Sequence, residues 1–221
     1  MIAVIVILIV SAGAHAFVFR ESVAGSPAFW WGLCVPYTLL DLLALHQLRR
    51  RKRLDALMPR FGDLSIGVST GALLLFASFL CRSTLSPTGT PRQAWLYRIF
   101  LQVGDPEVIQ HSAILTLAVL FIACSEELVW RGAVLEILSE RLGSRPAWLV
   151  TTLAYTAVML PSLFALRDPI AGLNPLLPIA ALGAGLVWSF LAARQRRLPP
   201  VMISHMVFSY FTIVQFRWPT L

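Results

Sequence analysis

Long stretches of apolar residues without a charge dominate the chain, and the polar positions gather in short gaps between them. A run of about 18 or more uncharged residues can cross a hydrocarbon core about 30 Å thick as an α-helix rising about 1.5 Å per residue. By that rule the pattern predicts seven spanning helices: Met1–Phe19, Pro27–Leu48 (interrupted by Asp41), Leu64–Cys81, Val108–Arg131, Pro146–Leu166, Pro169–Ala193 and Leu198–Phe216. The first run ends near "AHA", a small-residue pattern similar to a cleavage site. It has no basic stretch ahead of it and is long enough to span, so it reads as an anchor. The expected fold is an all-α, polytopic membrane helical bundle of about seven transmembrane helices. Residues 1–221 form a single integral membrane domain in this reading, because the longest polar connection, Arg82–Glu107, is too short for a second one. Within that connection, "PRQAWLYRIFLQVG" puts Trp95, Ile99 and Phe100 on one helical stripe with Arg98 among them. That suits a helix lying in the interface, and equally a loop with aromatic anchors.

Composition strengthens the membrane reading. Of 221 residues, 57% are hydrophobic and 13% charged, against about half and about a quarter in soluble domains. A net charge of +7 would suggest a nucleic-acid binder in a soluble protein, but here the basic residues lie between apolar runs, and no nucleic-acid partner is expected. The tracts "LRRRKRLDALMPR", "ERLGSR" and "RQRR" fall in the second, fourth and sixth connections, which a seven-span chain places on one side. The excess of arginine and lysine makes that side cytoplasmic. The expected location is therefore integral and multi-pass in the plasma (inner) membrane, with the N-terminus cytoplasmic and the C-terminus outside. The lipid bilayer is the first partner, and Arg49–Arg53 can also attract anionic lipid. Cys34, Cys81 and Cys124 are single and widely spaced, and His15, His46, His111 and His205 lie on four segments with no HExxH. No metal or other cofactor is expected, and no pattern sets an oligomeric state.

Candidate chemistry sits in "SEELVWRG", Ser125–Gly132, at the end of a charge-free run. Each charged group in a bilayer costs about 2.5 to 3.5 kcal/mol on insertion scales, so such groups mark function by default. On a helix Glu127 stacks on Arg131 at i, i+4, in the favourable acid-before-base order. Glu126, about 100° away around the helix, has no local partner. Such an acid is either protonated or held by groups on other helices, and is suited to proton transfer in both states. The helix continues past the motif as "GAVLEILSERLG", where Glu136, Glu140 and Arg141 favour solvent and Gly143 supplies the C-cap. Counting helical rise from that turn puts Met159, on the next span, at a depth similar to Glu126. His205 opens the last span beside Pro199 and Pro200 and shares a face with Ser209.

"EELVWR" at Glu126–Arg131, "YTAVM" at Tyr155–Met159 and "HMVFS" at His205–Ser209, in that order on three spans, resemble the motifs EExxxR, FxxxH and HxxxN of the CPBP intramembrane endopeptidases. That family includes type II CAAX prenyl proteases and bacteriocin-processing or self-immunity proteins of the ABI group. The resemblance covers a core at residues 117–210. It implies a glutamic-type peptidase acting on a membrane-associated protein or peptide, with Glu126 as general base, Glu127 and Arg131 as its support and His205 as an oxyanion donor. In the family a histidine of the second motif helps to hold the water.

Two positions depart from the pattern. Met159 occupies the second-motif histidine position, and a thioether can neither take a proton nor donate a hydrogen bond. Ser209 replaces asparagine and keeps one shorter donor. Tyr155, in place of phenylalanine, reads either as a packed aromatic or as a phenolic donor. Asp168 lies about 13 Å beyond Met159 if helical, and His111 falls near the opposite membrane face, so neither is expected to supply the missing imidazole. Asp41 is left outside the site. Three functions remain: an intramembrane endopeptidase, an impaired pseudoprotease acting as a partner-binding or immunity protein, and a proton-coupled transporter.

Overall fold

The computed structural model describes residues 1–214. The expected end of the last span at Phe216, and the side on which the C-terminus lies, fall outside the described residues. The chain forms α1 (Ile2–Val18), α2 (Pro27–Arg50), α3 (Asp63–Leu85), α4 (Ala94–Val103), α5 (Pro106–His111) and α6 (Ala113–Glu127). A π-helical segment, Leu128–Val134, continues α6 into α7 (Leu135–Leu142), and α8 (Ser144–Ala165), α9 (Leu176–Gln195) and α10 (Pro199–Val214) follow. Among the described residues five helices are long and apolar enough to cross a membrane, namely α2, α3, α8, α9 and the continuous stretch Ala113–Leu142 from α6 through α7, and α1 and α10 are shorter apolar helices. The protein is an integral multi-pass membrane protein with an all-α bundle.

Two span starts differ from the sequence reading. The helix expected from Pro169 begins at Leu176. Ahead of it, the Asp168 carboxylate accepts the N–H groups of Ile170 and Ala171, both at 2.9 Å, which winds "DPIAG" into a turn. Those two N–H donors, followed by the nearby Arg98 guanidinium, hold the Asp168 carboxyl below the usual carboxylate range. Asn174 fastens the turn by donating to Trp95 O (2.9 Å) and Leu166 O (3.3 Å). The span expected from Val108 starts at Ala113, where the Ser112 hydroxyl caps the helix by accepting from Leu115 N. The stripe at Trp95 and Phe100 is helical and buried, and Gln102 ties α4 to the α1–α2 connection through Arg20 O at 3.0 Å and Val18 O.

Packing places α3 on α10, α8 on α9, α6 on α10, and the α1–α2 hairpin against α8 and α6. Leu39, Leu73, Phe76 and Leu117 point outward and exposed, as suits side chains whose solvent is hydrocarbon. At the α3–α10 seam side chains and backbone of α10 press on the bare backbone of two glycines of α3. A Cβ added at Gly67 would lie 2.6 Å from Ile203 Cβ, and one at Gly71 2.9 Å from Ser204 O. This spacing of small residues lets helices approach closely where no hydrophobic effect drives them together.

The three basic connections meet at one end of the bundle. There Arg51 pairs with Glu140 (2.8 Å), Arg53 with Glu136 (3.1 Å) and Arg197 with Asp63, while Leu198 N donates to Ala56 O at 2.9 Å. Gly143, at φ +82, ends α7 on that face.

Candidate active site

Glu126 and Glu127 are the last residues of α6, and the backbone then changes to i→i+5 bonding for seven residues, Leu128–Val134, all buried. Such segments are rare and recur at functional sites. The widened turn keeps Arg131 on Glu127, with Nη1 donating to Glu127 Oε1 at 3.0 Å. Arg131 spends its other donors on α9, with Nε to Ser189 Oγ (3.2 Å) and Nη2 to Gly185 O (3.4 Å). Its guanidinium carbon lies 4.7 Å from the centre of the Tyr155 ring and 5.6 Å from that of Trp188. Gly185 leaves room for this, since a Cβ there would sit 3.3 Å from Arg131 Nη2. A buried charge tolerates burial only when paired and hydrogen-bonded, and Arg131 is both.

His205 enters from α10. Its Nδ1 is 2.8 Å from Glu127 Oε1, and because a carboxylate only accepts, Nδ1 carries the proton. The ring stacks on Trp188 with centroids 3.9 Å apart, and Trp188 is itself fixed by donating Nε1–H to Ser204 Oγ at 3.0 Å. These contacts aim Nε2 at Glu126, 3.7 Å from Oε2.

Glu126 accepts a hydrogen bond from Tyr155 OH at Oε2, 2.7 Å. Of the two readings of Tyr155, the phenolic donor is the one present. On the other oxygen, His15 Nε2 lies 3.7 Å from Oε1. Sequence reasoning missed His15 as a site residue. Its only signal was depth: Met1 starts α1 at the basic end, and 14 residues carry the helix about 20 Å inward, close to the level reckoned for Glu126. Tyr37, on α2, also faces Glu126, Ser11 and Trp130.

The structure thus brings together Glu126, Glu127, Arg131, His205 and Tyr155. Met159 is buried one turn along α8 from Tyr155. Ser209 is half-buried and makes no side-chain hydrogen bond to this cluster. Asp41 stands next to it, accepting from Ser125 Oγ at 2.6 Å. No group of three or more acids, histidines or cysteines is arranged to hold a metal among the described residues. A cavity of ≈ 340 Å³ opens at the basic end and reaches inward to Arg131 and Gly132.

The family model for type II CAAX prenyl endopeptidase Rce1-like proteins matches residues 109–211. The matched stretch, 103 of the 221 residues, is similar to that family. The matched stretch holds both glutamates, Arg131, Tyr155 and His205, and the family is one of CAAX-type intramembrane proteases with a lipid environment and peptide substrates. His15 and Tyr37 lie on helices ahead of it. No curated protein and no solved structure matches the chain.

Proposed function

We propose that the protein is an intramembrane endopeptidase that cleaves a membrane-associated polypeptide with water activated by Glu126. One observation carries the reading. Glu126, 5% exposed inside the bundle, is bonded to no arginine among the described residues, is held at one oxygen by a tyrosine hydroxyl, and faces two imidazole Nε2 atoms at 3.7 Å. Its neighbour Glu127 takes up the guanidinium, which leaves Glu126 free for proton transfer.

In the proposed reaction a water oxygen forms a bond to the peptide carbonyl carbon as one water proton passes to Glu126. The carbonyl π pair moves onto oxygen. His205, with Nδ1–H spent on Glu127, presents Nε2 to that oxyanion and as the imidazolium donates to it. Collapse re-forms the carbonyl and breaks the C–N bond, and the proton on Glu126 goes to the leaving nitrogen, giving an acid and an amine. Glu127 and Arg131 hold the two working side chains in register. In this reading residues 1–221 act as one membrane domain with a catalytic core at 117–210. The basic end faces the cytoplasm of the plasma (inner) membrane, in keeping with its cluster of arginines.

The full chain in proteoliposomes, given an internally quenched peptide with a prenylated CAAX terminus and the same peptide on an unmodified hydrophobic anchor, should cleave at least one. Glu126→Gln should abolish cleavage and leave the protein folded, and retained turnover would remove Glu126 from the mechanism. The pseudoprotease reading is favoured by a separate observation, the buried thioether of Met159 at the second-motif position. Met159→His separates the two: activity gained from an inactive parent marks an impaired enzyme, whereas an active parent means that another group already holds the water.

A further inference from the structure

We infer that His15, on the first helix and ahead of the family-matched residues, is a catalytic residue that holds the second hydrogen of the water activated by Glu126. The inference rests on the peptidase reading above.

The argument begins with which nitrogen is free. His15 Nδ1 is 2.8 Å from the carbonyl oxygen of Ser11, one turn back on α1. A carbonyl only accepts, so Nδ1 carries the proton, and in the neutral ring Nε2 keeps its lone pair. The ring is 3% exposed and set edge-on to Tyr37 at 6.2 Å between centroids, so its direction is locked. That direction is toward Glu126 Oε1 at 3.7 Å, beyond the reach of a direct hydrogen bond. Two acceptors, an anionic oxygen and an imidazole lone pair, therefore face each other across a gap. A water molecule, with two hydrogens to give, satisfies both.

The surroundings support a solvent site. Among the described residues, Ser11 Oγ, Tyr37 OH and Trp130 Nε1 are buried polar atoms that make no hydrogen bond of good geometry, and all three crowd the same corner, close enough for Tyr37 OH to interact loosely with Ser11, Trp130 and Glu126. Buried polar atoms in proteins are almost always satisfied, and ordered water satisfies those that protein does not. One side of the Glu126 carboxylate is thus closed by Tyr155 and His205, and the other side is walled by His15, Ser11 and Tyr37.

Placement explains Met159. Helix α1 packs on α8, and Tyr155, one turn from Met159, already touches Glu126. An imidazole arriving from α1 makes one from α8 unnecessary, and the buried position on α8 can then hold a thioether. The N-terminal hairpin, on this inference, completes the site.

Two measurements on the full chain test the inference. An experimental structure in nanodiscs that resolves solvent should show a water within about 3.2 Å of both Glu126 Oε1 and His15 Nε2, and His15→Phe should lose it with the fold intact. Direct contact of His15 with Glu126, or a dry gap, overturns the inference whether or not turnover is detected. On the quenched peptides, His15→Phe and His15→Gln should each lower kcat by about 100-fold or more with KM within about twofold. The double variant His15→Phe/Met159→His should recover at least about tenfold. If Glu126→Gln is inactive while both His15 variants keep the parent kcat, His15 has no part in catalysis and the peptidase reading stands. If Glu126→Gln cleaves as the parent does, the peptidase reading fails instead.

Discussion

Ionic contacts at the basic end of the bundle and in its interior use the same residue types for different work. At the basic end Arg51 reaches Glu140, whose side chain is 54% exposed, and such pairs are worth about 0 to 1 kcal/mol. In the interior Glu127 and Arg131 have no exposed side-chain surface. There removal of one partner leaves the other as an uncompensated charge. The end pairs are consistent with positioning connections; the interior pair holds Glu127 where His205 needs it. Glu126 sits beside that pair and outside it, so only one of two adjacent acids is tied to the guanidinium.

The largest expected effect is on turnover, where Glu126→Gln removes it altogether and stability in detergent changes far less. Next, Arg131→Leu should cost about 3 to 5 kcal/mol of stability by stranding Glu127, read by chemical unfolding in detergent; a loss below about 1 kcal/mol would break the contrast between the regions. Ser189→Ala leaves one Arg131 N–H without its acceptor and should cost about 1 to 3 kcal/mol. Smallest, Glu140→Ala should cost under about 1 kcal/mol, an effect that shrinks further as salt screens the exposed pair.

Legibility followed the range of the interaction. Hydrophobic runs located the long helices because crossing lipid is a property of a local stretch. They misplaced two starts, where "PIAGLNP" and "VIQHS" are as uncharged as a span but contain Pro, Asn and Ser residues that turn or cap the backbone. The Glu127–Arg131 pair was legible from its spacing, whereas the π-helical backbone beneath it was not, since the same four-residue separation serves both windings. His15 was out of reach for another reason. It meets Glu126 only because the α1–α2 hairpin folds against α8 and α6, a long-range fact that no window of sequence holds. Tyr155 was visible as a residue with two readings, and its partner decided between them.

The glycine seam between α3 and α10 has a genetic consequence. Gly67 and Gly71 carry no side chain that could do chemistry, yet a single methyl group at either position meets an atom under 3 Å away on the helix that carries Ser204 and His205. A screen scoring lost activity would therefore rank these two positions beside Glu126. Counting how much folded protein reaches the membrane would separate them again, because the glutamine variant accumulates and the bulkier seam does not.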